Sequence, residues 1–202
     1  MLRHIVVSLR MGVEIDIKEL INGCINGNRR SQEILHRNYY GKMMGVCLRY
    51  MQDKDEAKDV VQEGFIKVYN NLAKYDHSGS FDLWLKRIFV NTAIDFYRKN
   101  KTLQNIFNYN VEVEDVQEPI DENSSIGTLK MLSTPDILEA VQELTPVYRA
   151  VFNMYAIDGY NHHQISEALN INIGTSKSNY SKAKGNLQKI LINKLETSNE
   201  IY

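Results

Sequence analysis

The last quarter of the chain has the spacing of a helix-turn-helix. A helix is predicted to begin at Thr145-Pro146, an N-cap residue followed by a proline in the first turn, and to stop at Gly159. A short helix capped by Asn161, a tight turn and a longer polar helix from about Gly174 come next. This order is typical of a motif whose second helix fits the DNA major groove, so it predicts DNA as a partner.

The rest of the chain is also predicted to be helical. Apolar residues recur with helical spacing nearly everywhere, and no stretch alternates convincingly as a strand would. The predicted helices run from about 15 to 22, 29 to 51, 53 to 74 and 81 to 101. Gly23 is expected to end the first helix. The inner face of the fourth is expected to consist of Phe81, Leu85, Ile88, Thr92 and Phe96.

These elements predict an all-α fold with two small helical domains, an N-terminal bundle and a C-terminal helix-turn-helix, joined by a flexible acidic linker. Thr134-Pro135 is expected to start the second domain as an N-cap and proline pair. The predicted divisions are a tail and short helix at 1–28, the bundle at 29–101, the linker at 102–134 and the helix-turn-helix domain at 135–195.

Charge divides the chain in the same way, although the net charge is only -1. Residues 36–101 hold 12 Lys and Arg against 8 Asp and Glu, and residues 141–194 hold 6 against 3. Residues 102–140, by contrast, hold 1 against 8. Two mildly basic units joined by an acidic segment are compatible with a nucleic-acid partner, which the whole-chain charge alone would argue against.

The composition gives no support for catalytic or metal chemistry. Cys24 and Cys47 have no metal-ligand spacing and are expected to lie reduced in the interior of a cytoplasmic protein. No glycine-rich phosphate loop or metal-ligand cluster is visible, so we expect no catalytic residues, no cofactor and no bound metal. The apolar run within residues 1–10 is too short to cross a membrane, and two alternatives are expected for this segment: a disordered tail, or a natural start at Met11.

The outer face of the last helix is small, polar and basic. Successive residues are 100° apart, which places Tyr180, Ala183, Leu187, Ile190 and Leu191 on the inner side. Such an outer face can offer hydrogen bonds to base edges and phosphates, or it can simply be solvated. The candidate DNA-binding residues on it are Thr175, Lys177, Ser178, Asn179 and Lys182.

The fourth helix of the bundle carries a second candidate stripe. Trp84, Asn91, Asp95 and Arg98 align within about 60°, and Lys99 adds positive charge. An exposed aromatic ring beside amides and cations suits single-stranded DNA, although a lone Trp in a small bundle is often core. On the third helix, Asp59, Gln62 and Glu63 lie away from the apolar side, which by itself indicates only a solvated patch.

Three segments resemble those of bacterial RNA polymerase sigma factors, and they occur in the same order. Residues 55–69, DEAKDVVQEGFIKVY, resemble the polymerase-binding helix of that family, and residues 81–99 resemble its promoter-melting helix. Residues 144–152 and 174–178 resemble the start and the recognition helix of its second DNA-binding domain. The short linker resembles that of the extracytoplasmic-function (ECF) group, and the likeness covers about 30–101 and 136–192.

The resemblance implies a role for each candidate residue. Asp59, Gln62 and Glu63 would face the β′ coiled coil of core RNA polymerase, whose β flap is a further expected contact. Asp76, His77 and Ser78 would lie in a loop that captures a base flipped from the opening duplex. Asn91, Asp95, Arg98 and Lys99 would lie against promoter DNA near the start site, and Trp84 remains the candidate contact to a single strand, so promoter DNA is an expected partner both as duplex and as single strand. The residues on the last helix would read the element further upstream, and an anti-sigma factor is an expected partner.

Two other functions are alternatives to this one. A helix-turn-helix regulator with a sensor or dimerisation bundle would bind its operator without polymerase. An α-helical enzyme is disfavoured because the adjacent His162 and His163 project about 100° apart on a helix. The resemblance therefore predicts a non-enzymatic sigma factor that binds core polymerase, directs it to promoters and helps to open them.

Overall fold

A computed structural model describes residues 6–8, 14–99 and 133–199. Over these residues the predicted all-α class is confirmed, apart from one pair of short strands. The elements are β1 Val6–Ser8, β2 Glu14–Asp16, α1 Ile17–Ile25, α2 Arg29–Tyr50, α3 Lys54–Asn71, α4 Phe81–Lys99, α5 Thr134–Glu143, α6 Pro146–Phe152, α7 His162–Leu169 and α8 Ile173–Asn199. A 3-10 turn at Leu72–Lys74 follows α3, and a π-helical turn at Asn153–Ile157 follows α6. Nearly all of the predicted linker, 102–134, lies outside the described residues.

Two compact units share the described residues. The first contains the residues up to Cys47 together with Lys54–Thr92. The second contains Leu48–Asp53 together with the residues from Ala93 onward. The last residues of α2 and the second part of α4 therefore belong with the C-terminal helices.

The N-terminal segment departs from the sequence prediction. β1 and β2 pair as antiparallel strands, with Val6 opposite Asp16 and Ser8 opposite Glu14, so the expectations of no strand and of a disordered tail are wrong for these residues. α1 then begins at Ile17, where the Asp16 carboxylate accepts a hydrogen bond from the Lys18 amide at 2.9 Å. This N-cap fixes the start of the helix.

The prediction that Gly23 ends α1 is wrong. The helix continues through it to Ile25, and the turn follows at Gly27, whose φ of 73° lies in the left-handed region that glycine adopts readily. A Cβ at position 23 would clash with the Ser31 side chain. Gly23 therefore permits close packing of α1 against α2, which local sequence signals do not distinguish from a helix stop.

The core of the first unit packs α1, α2, α3 and the first part of α4. Gly64 on α3 brings that helix close to α4, because a Cβ there would lie 2.5 Å from the Phe89 ring. Phe65 meets the same ring edge-on, with ring centroids 5.1 Å apart. Both cysteines are buried thiols, as expected. The buried residues of α1 to α3 include Ile17, Leu20, Ile21, Leu35, Tyr39, Met43, Ala57, Val60, Val61, Phe65 and Val68.

The inner face of α4 differs in part from the prediction. Ile88 and Phe96 are only half-buried, whereas Phe89 and Tyr97 are buried. Burial also extends around the helix, over Phe81, Leu85, Val90, Thr92, Ala93 and Ile94. The prediction assumed a single apolar stripe, whereas buried residues lie around much of the circumference of α4.

The second unit has its own apolar core, formed by α5, α6 and α8. Its members are Ala140, Val141, Leu144, Tyr148, Ala183, Leu187 and Leu191. The N-cap of α5 is Ser133, which forms a capping box with Asp136, so the predicted cap at Thr134 is wrong by one residue. Thr145 stands at the N-cap position of α6, as predicted, although its side chain makes no capping hydrogen bond.

We expect Gly64→Ala to destabilise the protein, because the new methyl group would press on the Phe89 ring in a packed core. Overpacking of this kind costs about 1–3 kcal/mol. Gly41→Ala on α2 is the matched control: nothing lies within 4 Å of its added Cβ, and it should be neutral or stabilising by about 0.5–1 kcal/mol. Urea unfolding measures both variants, and equal stability would contradict the close approach.

Candidate polymerase and nucleic-acid interfaces

The outer side of α3 brings the predicted polymerase-binding residues together. Asp59 and Gln62 are exposed and Glu63 is half-buried, with its carboxylate 3.3 Å from the Lys67 ammonium. The opposite side of the helix is buried, so this polar side is held facing solvent. Ile66 lies on the same side and is 60% exposed. Sequence reasoning missed this residue, although an isoleucine seven positions after Asp59 was a readable signal.

A groove lies beside these helices in the first unit. Its volume is about 640 Å³, and α2 and Tyr69 of α3 line it. The Tyr69 hydroxyl donates to the Gln32 carbonyl at 3.0 Å, and burial raises the pKa of Tyr69 to about 12. The His36 ring lies 4.4 Å from that of Phe65, and Tyr40 is 37% exposed. The groove is therefore lined by aromatic side chains, such as Tyr40 and Tyr69, together with charged side chains, such as Glu33 and Arg37.

The loop between α3 and α4 is held by its own hydrogen bonds. The Asp76 carboxylate accepts from the Ser78 amide at 3.0 Å and from the Ser78 hydroxyl at 2.8 Å. These hydrogen bonds, the amide first, lower the pKa of Asp76. His77 adopts a left-handed φ of 59°, and the Tyr75 hydroxyl donates to the Gly79 carbonyl at 2.6 Å. The three predicted loop residues are exposed on a preformed turn.

Trp84 belongs to an aromatic cluster beside this loop. Its ring stacks on Phe81, with centroids 5.6 Å apart and planes 22° apart, and lies 5.4 Å from Tyr75. Tyr75 also contacts His77, at 4.7 Å. The sequence left open whether Trp84 is a core residue or an exposed one. In the structure it is half-buried, which is intermediate between the two. Phe81 and Tyr75 therefore pack against the Trp84 ring, and the rest of the ring is accessible to solvent.

The remaining candidates on α4 lie further along the helix. Asn91 and Lys99 are exposed. Asp95 is half-buried, and its carboxylate lies 3.9 Å from the Arg98 guanidinium. Arg98 Nη2 also donates to the carbonyls of two residues at the end of α7, Glu167 at 3.2 Å and Ala168. The sequence did not predict this second engagement of Arg98.

Asparagine side chains fix the geometry of the helix-turn-helix. Asn161 and Gln164 form a capping box at the start of α7, with both hydrogen bonds 2.9 Å long. Asn170 ends α7 in the left-handed conformation, at a φ of 53°. Asn172 then accepts a hydrogen bond from the Thr175 amide at 2.6 Å as α8 begins. The predicted caps and turn are therefore present.

The first turns of α8 present the predicted DNA-reading residues unevenly. Lys177 and Ser178 are exposed, whereas Thr175, Asn179 and Lys182 are half-buried. All five residues share the first ten positions of the helix, and their face differs from the one that buries Ser176, Ala183 and Leu187. Half-burial of Lys182 leaves its ammonium able to extend outward along its aliphatic stem.

A contact missed from the sequence ties α7 to α8. His162 Nδ1 lies 3.0 Å from the hydroxyl of Ser176, which is fully buried. The His162 ring stacks on Tyr155, at 4.3 Å, and Tyr155 in turn contacts Tyr180 at 4.5 Å. This cluster fixes the direction in which α8 leaves the turn.

Metal and membrane signals are absent from the described ranges. Over residues 6–8, 14–99 and 133–199, no group of three or more His, Cys, Asp and Glu side chains is placed to hold a metal ion. Within the same ranges, no helix combines the length and the apolar character that a membrane span requires.

Family models match both halves of the chain. The model of Sigma-70 region 2 matches residues 35–102, which contain most of α2 and all of α3 and α4. The model of Sigma-70 region 4 matches residues 135–187, which contain the helix-turn-helix. The two matches occur in this order and together cover more than half of the chain.

Individual sigma factors are similar along nearly their whole length. The ECF RNA polymerase sigma factor SigW of Bacillus subtilis is 29% identical over 189 residues, which is 89% of this chain and 98% of SigW. The RNA polymerase sigma-H factor of Pseudomonas aeruginosa is 25% identical, over 86% of this chain and 93% of its own. A solved structure of the sigma factor RpoE from Bartonella quintana is 20% identical, with a TM-score of 0.48, over 79% of this chain and 95% of that one.

The two matched models occur in the order of the three motifs, and the relatives are sigma factors over nearly their whole length. The chain belongs to the RNA polymerase sigma factors of the ECF group, the subunits that direct the polymerase to promoters.

Proposed function

We propose that the outer side of α3 binds core polymerase and that α4, its preceding loop and the first turns of α8 bind promoter DNA. The observation that carries the proposal is the shared solvent-facing side of Asp59, Gln62 and Ile66 on a helix whose other side is buried. A helix anchored in this way presents its outer residues without an ordering cost on binding. In this proposal, the domain at 29–101 binds core polymerase and opens the promoter, and the domain at 135–195 binds DNA further upstream.

The α3 surface has the composition of a protein interface. Ile66 supplies an exposed apolar centre, and Asp59, Gln62 and Glu63 surround it with polar groups. The negative charge of Asp59 suits a basic surface on the β′ coiled coil, where complementary charge increases the rate of association. The β flap is the second polymerase contact in this proposal.

Asp59→Ala combined with Gln62→Ala should weaken binding to core polymerase by about tenfold or more, which corresponds to a combined loss of about 1.4 kcal/mol of binding free energy. Fluorescence titration with core polymerase in the absence of DNA measures the effect. Glu19→Ala with Gln52→Ala is the matched control, because it removes an exposed acid and an exposed glutamine that lie outside α3. Unchanged affinity of the Asp59 and Gln62 double variant, with its helix content intact, would remove this assignment.

Promoter opening is assigned to the loop after α3 and to Trp84. Flipping a base out of a duplex costs a few kcal/mol, and a preformed polar turn with an adjacent aromatic ring can offset part of that cost. Asp76, His77 and Ser78 supply the turn, and the half-buried Trp84 ring supplies a stacking surface. Asn91, Asp95, Arg98 and Lys99 continue the DNA-binding surface along α4.

Trp84→Ala should lower the free energy of unfolding by about 1–2 kcal/mol, because the contacts with Phe81 and Tyr75 are lost. The protein should remain folded and should bind core polymerase normally while opening promoters poorly, as measured by 2-aminopurine fluorescence in the melted segment. Trp84→Phe, which keeps a ring, is the control and should open promoters better than the alanine variant. Normal opening by Trp84→Ala would show that the ring is only structural.

Reading of the upstream element is assigned to Thr175, Lys177, Ser178, Asn179 and Lys182. Lysine is a point charge on a flexible stem and lacks the bidentate geometry with which arginine recognises guanine. Phosphate contacts are therefore expected to contribute a large share of this affinity.

Lys182→Ala should lower promoter affinity of the holoenzyme and reduce the slope of log affinity against log salt by about 0.9, the value for one phosphate contact. Lys189→Ala is the charge-matched control, because it removes an exposed lysine two turns further along α8. Filter binding over a salt series measures both slopes. An unchanged slope for Lys182→Ala would show that its ammonium contacts no phosphate.

The remaining assignments follow from the family. The protein acts in the cytoplasm as a dissociable polymerase subunit, and it has no catalytic chemistry of its own. An anti-sigma factor that covers the α3 and α4 surfaces would hold it inactive. Titration of core polymerase tests the leading assignment directly, because a self-sufficient helix-turn-helix regulator would not bind polymerase tightly in a one-to-one ratio.

A further inference from the structure

The groove beside α2 has the residues of a ligand site that the polymerase and promoter surfaces do not use. Its volume of about 640 Å³ is in the range of pockets that hold small molecules. Residues of the first half of α2, most of them exposed, line it together with Tyr69 of α3. All of the lining residues belong to the first unit, so the groove does not require the second.

Aromatic rings gather at one end of the groove. The His36 ring lies 4.4 Å from the ring of Phe65, which belongs to the core, so the imidazole is held against a packed surface. The Tyr40 ring lies 5.2 Å from that of His36, with the ring planes 34° apart, and Tyr40 is 37% exposed. This end of the groove therefore offers supported rings on which a planar aromatic group of a ligand can stack.

The contribution of α3 to the groove is neutral and fixed in position. The Tyr69 hydroxyl donates to the Gln32 carbonyl at 3.0 Å, which joins α3 to α2 beside the groove. Burial raises the pKa of Tyr69 to about 12, so this hydroxyl stays protonated at neutral pH and carries no negative charge. Tyr69 therefore does not repel an anionic ligand.

Three charged side chains follow one another along the groove at four-residue spacing. Arg29, Glu33 and Arg37 are neighbours on one side of α2, with a rise of about 6 Å from each to the next. This spacing would allow both arginines to pair with Glu33. Among the described residues, however, none of the three side chains forms an ion pair. Two guanidinium groups against one carboxylate make the groove favourable for an anion.

The order of these groups along α2 matches the order of groups in a nucleotide. The guanidinium of Arg29 comes first, the carboxylate of Glu33 lies one turn further on, and the rings of the aromatic end follow. A guanidinium binds phosphate with paired hydrogen bonds, a carboxylate accepts hydrogen bonds from ribose hydroxyls, and aromatic rings stack on bases. Arg37 lies at the same end as the rings, where its planar group can stack on a base as well.

We propose that this groove binds a purine nucleoside 5′-diphosphate, with the phosphates on Arg29, the ribose beside Glu33 and the base against Tyr40. A purine gives the larger stacking surface, and a diphosphate extends from the ribose toward the guanidinium one turn away. The site goes beyond the proposed sigma-factor function and does not depend on it, because neither the polymerase surface of α3 nor the DNA surface of α4 takes part.

The first test compares a nucleotide with its separate parts. Isothermal titration calorimetry of the full chain measures binding of GDP, of guanosine and of inorganic pyrophosphate. GDP should bind saturably in a one-to-one ratio, and guanosine and pyrophosphate should each bind at least about tenfold more weakly, because each makes only part of the contacts. The nucleotide site would be overturned if the folded protein did not bind GDP. Pyrophosphate that binds as tightly as GDP would also overturn it and would leave only an anion site.

The second test assigns the two ends of the groove. Arg29→Ala should weaken GDP binding by about tenfold or more, the scale of a lost hydrogen bond to a charged group, and should leave guanosine binding unchanged. Arg30→Ala is the matched control, because it removes an exposed arginine that does not line the groove. Equal losses in both variants would show a general effect of positive charge and would contradict the site.

Tyr40→Ala should weaken GDP binding by about fivefold or more, because the base loses a stacking partner, and should leave pyrophosphate binding unchanged. Tyr40→Phe keeps the ring and should keep the affinity for GDP. Both variants should fold normally because Tyr40 is exposed, and circular dichroism checks this. Full affinity of the alanine variant would disprove the placement of the base.

A nucleic-acid strand contains the same chemical groups as a nucleotide, so the last test distinguishes the two. GDP is titrated in the presence of a single-stranded DNA oligonucleotide of mixed sequence, and its affinity should stay the same. Displacement of GDP by the oligonucleotide, absent in Arg29→Ala, would assign the groove to a nucleic-acid strand and overturn the nucleotide site. Core polymerase is absent from all of these titrations, so their failure is distinguishable from a failure of the proposed function, which polymerase titration of the same proteins measures separately.

Discussion

Burial of one side of α3 fixes what its other side can present. Val60, Val61 and Phe65 pack into the core of the first unit, and Gly64 lets α4 approach so closely that no side chain would fit between the helices. Rotation of α3 would expose this apolar row and would force Gly64 away from Phe89. Asp59 and Ile66 are therefore held on the solvent side by the core, because helical geometry allows no other place for them.

In the C-terminal helices, too, burial of one side of a helix determines which residues face solvent. Ala183 and Leu187 lock one side of α8 into the core, so Lys177 and Ser178 must face outward. The direction of α8 depends on polar contacts, in particular on the Asn172 cap and on the link from His162 to the buried Ser176. A helix that must fit a groove needs both restraints, since the apolar side sets its rotation and the caps set its starting point.

The sequence was sufficient where the signal was local. The Asn161 cap, the turn at Asn170 and the apolar spacing of α2 and α3 are decided by neighbouring residues, and these features were predicted. The end of α1 and the inner face of α4 were predicted wrongly, because Gly23 and Phe89 contact other helices and a periodic pattern does not contain such contacts. The strands β1 and β2 are only three residues long, too short for alternation to be recognised. The second engagement of Arg98 is also non-local, since its acceptors are 69 and 70 residues away.

Residues that bind a charged partner need other contacts when that partner is absent, because an isolated charge gains little from being held in one place. Arg98, which we propose to bind promoter DNA, shows one solution: the carbonyls at the end of α7 offer oxygen acceptors and partial negative charge, as a phosphate does. The end of α2 shows the complementary case, in which carbonyls without helical partners accept from Gln142, Arg149 and Asn153. Polar contacts of this kind are directional but lose little when water replaces them. A side chain that must exchange one set of acceptors for another is therefore better served by such contacts than by apolar packing, which water cannot replace.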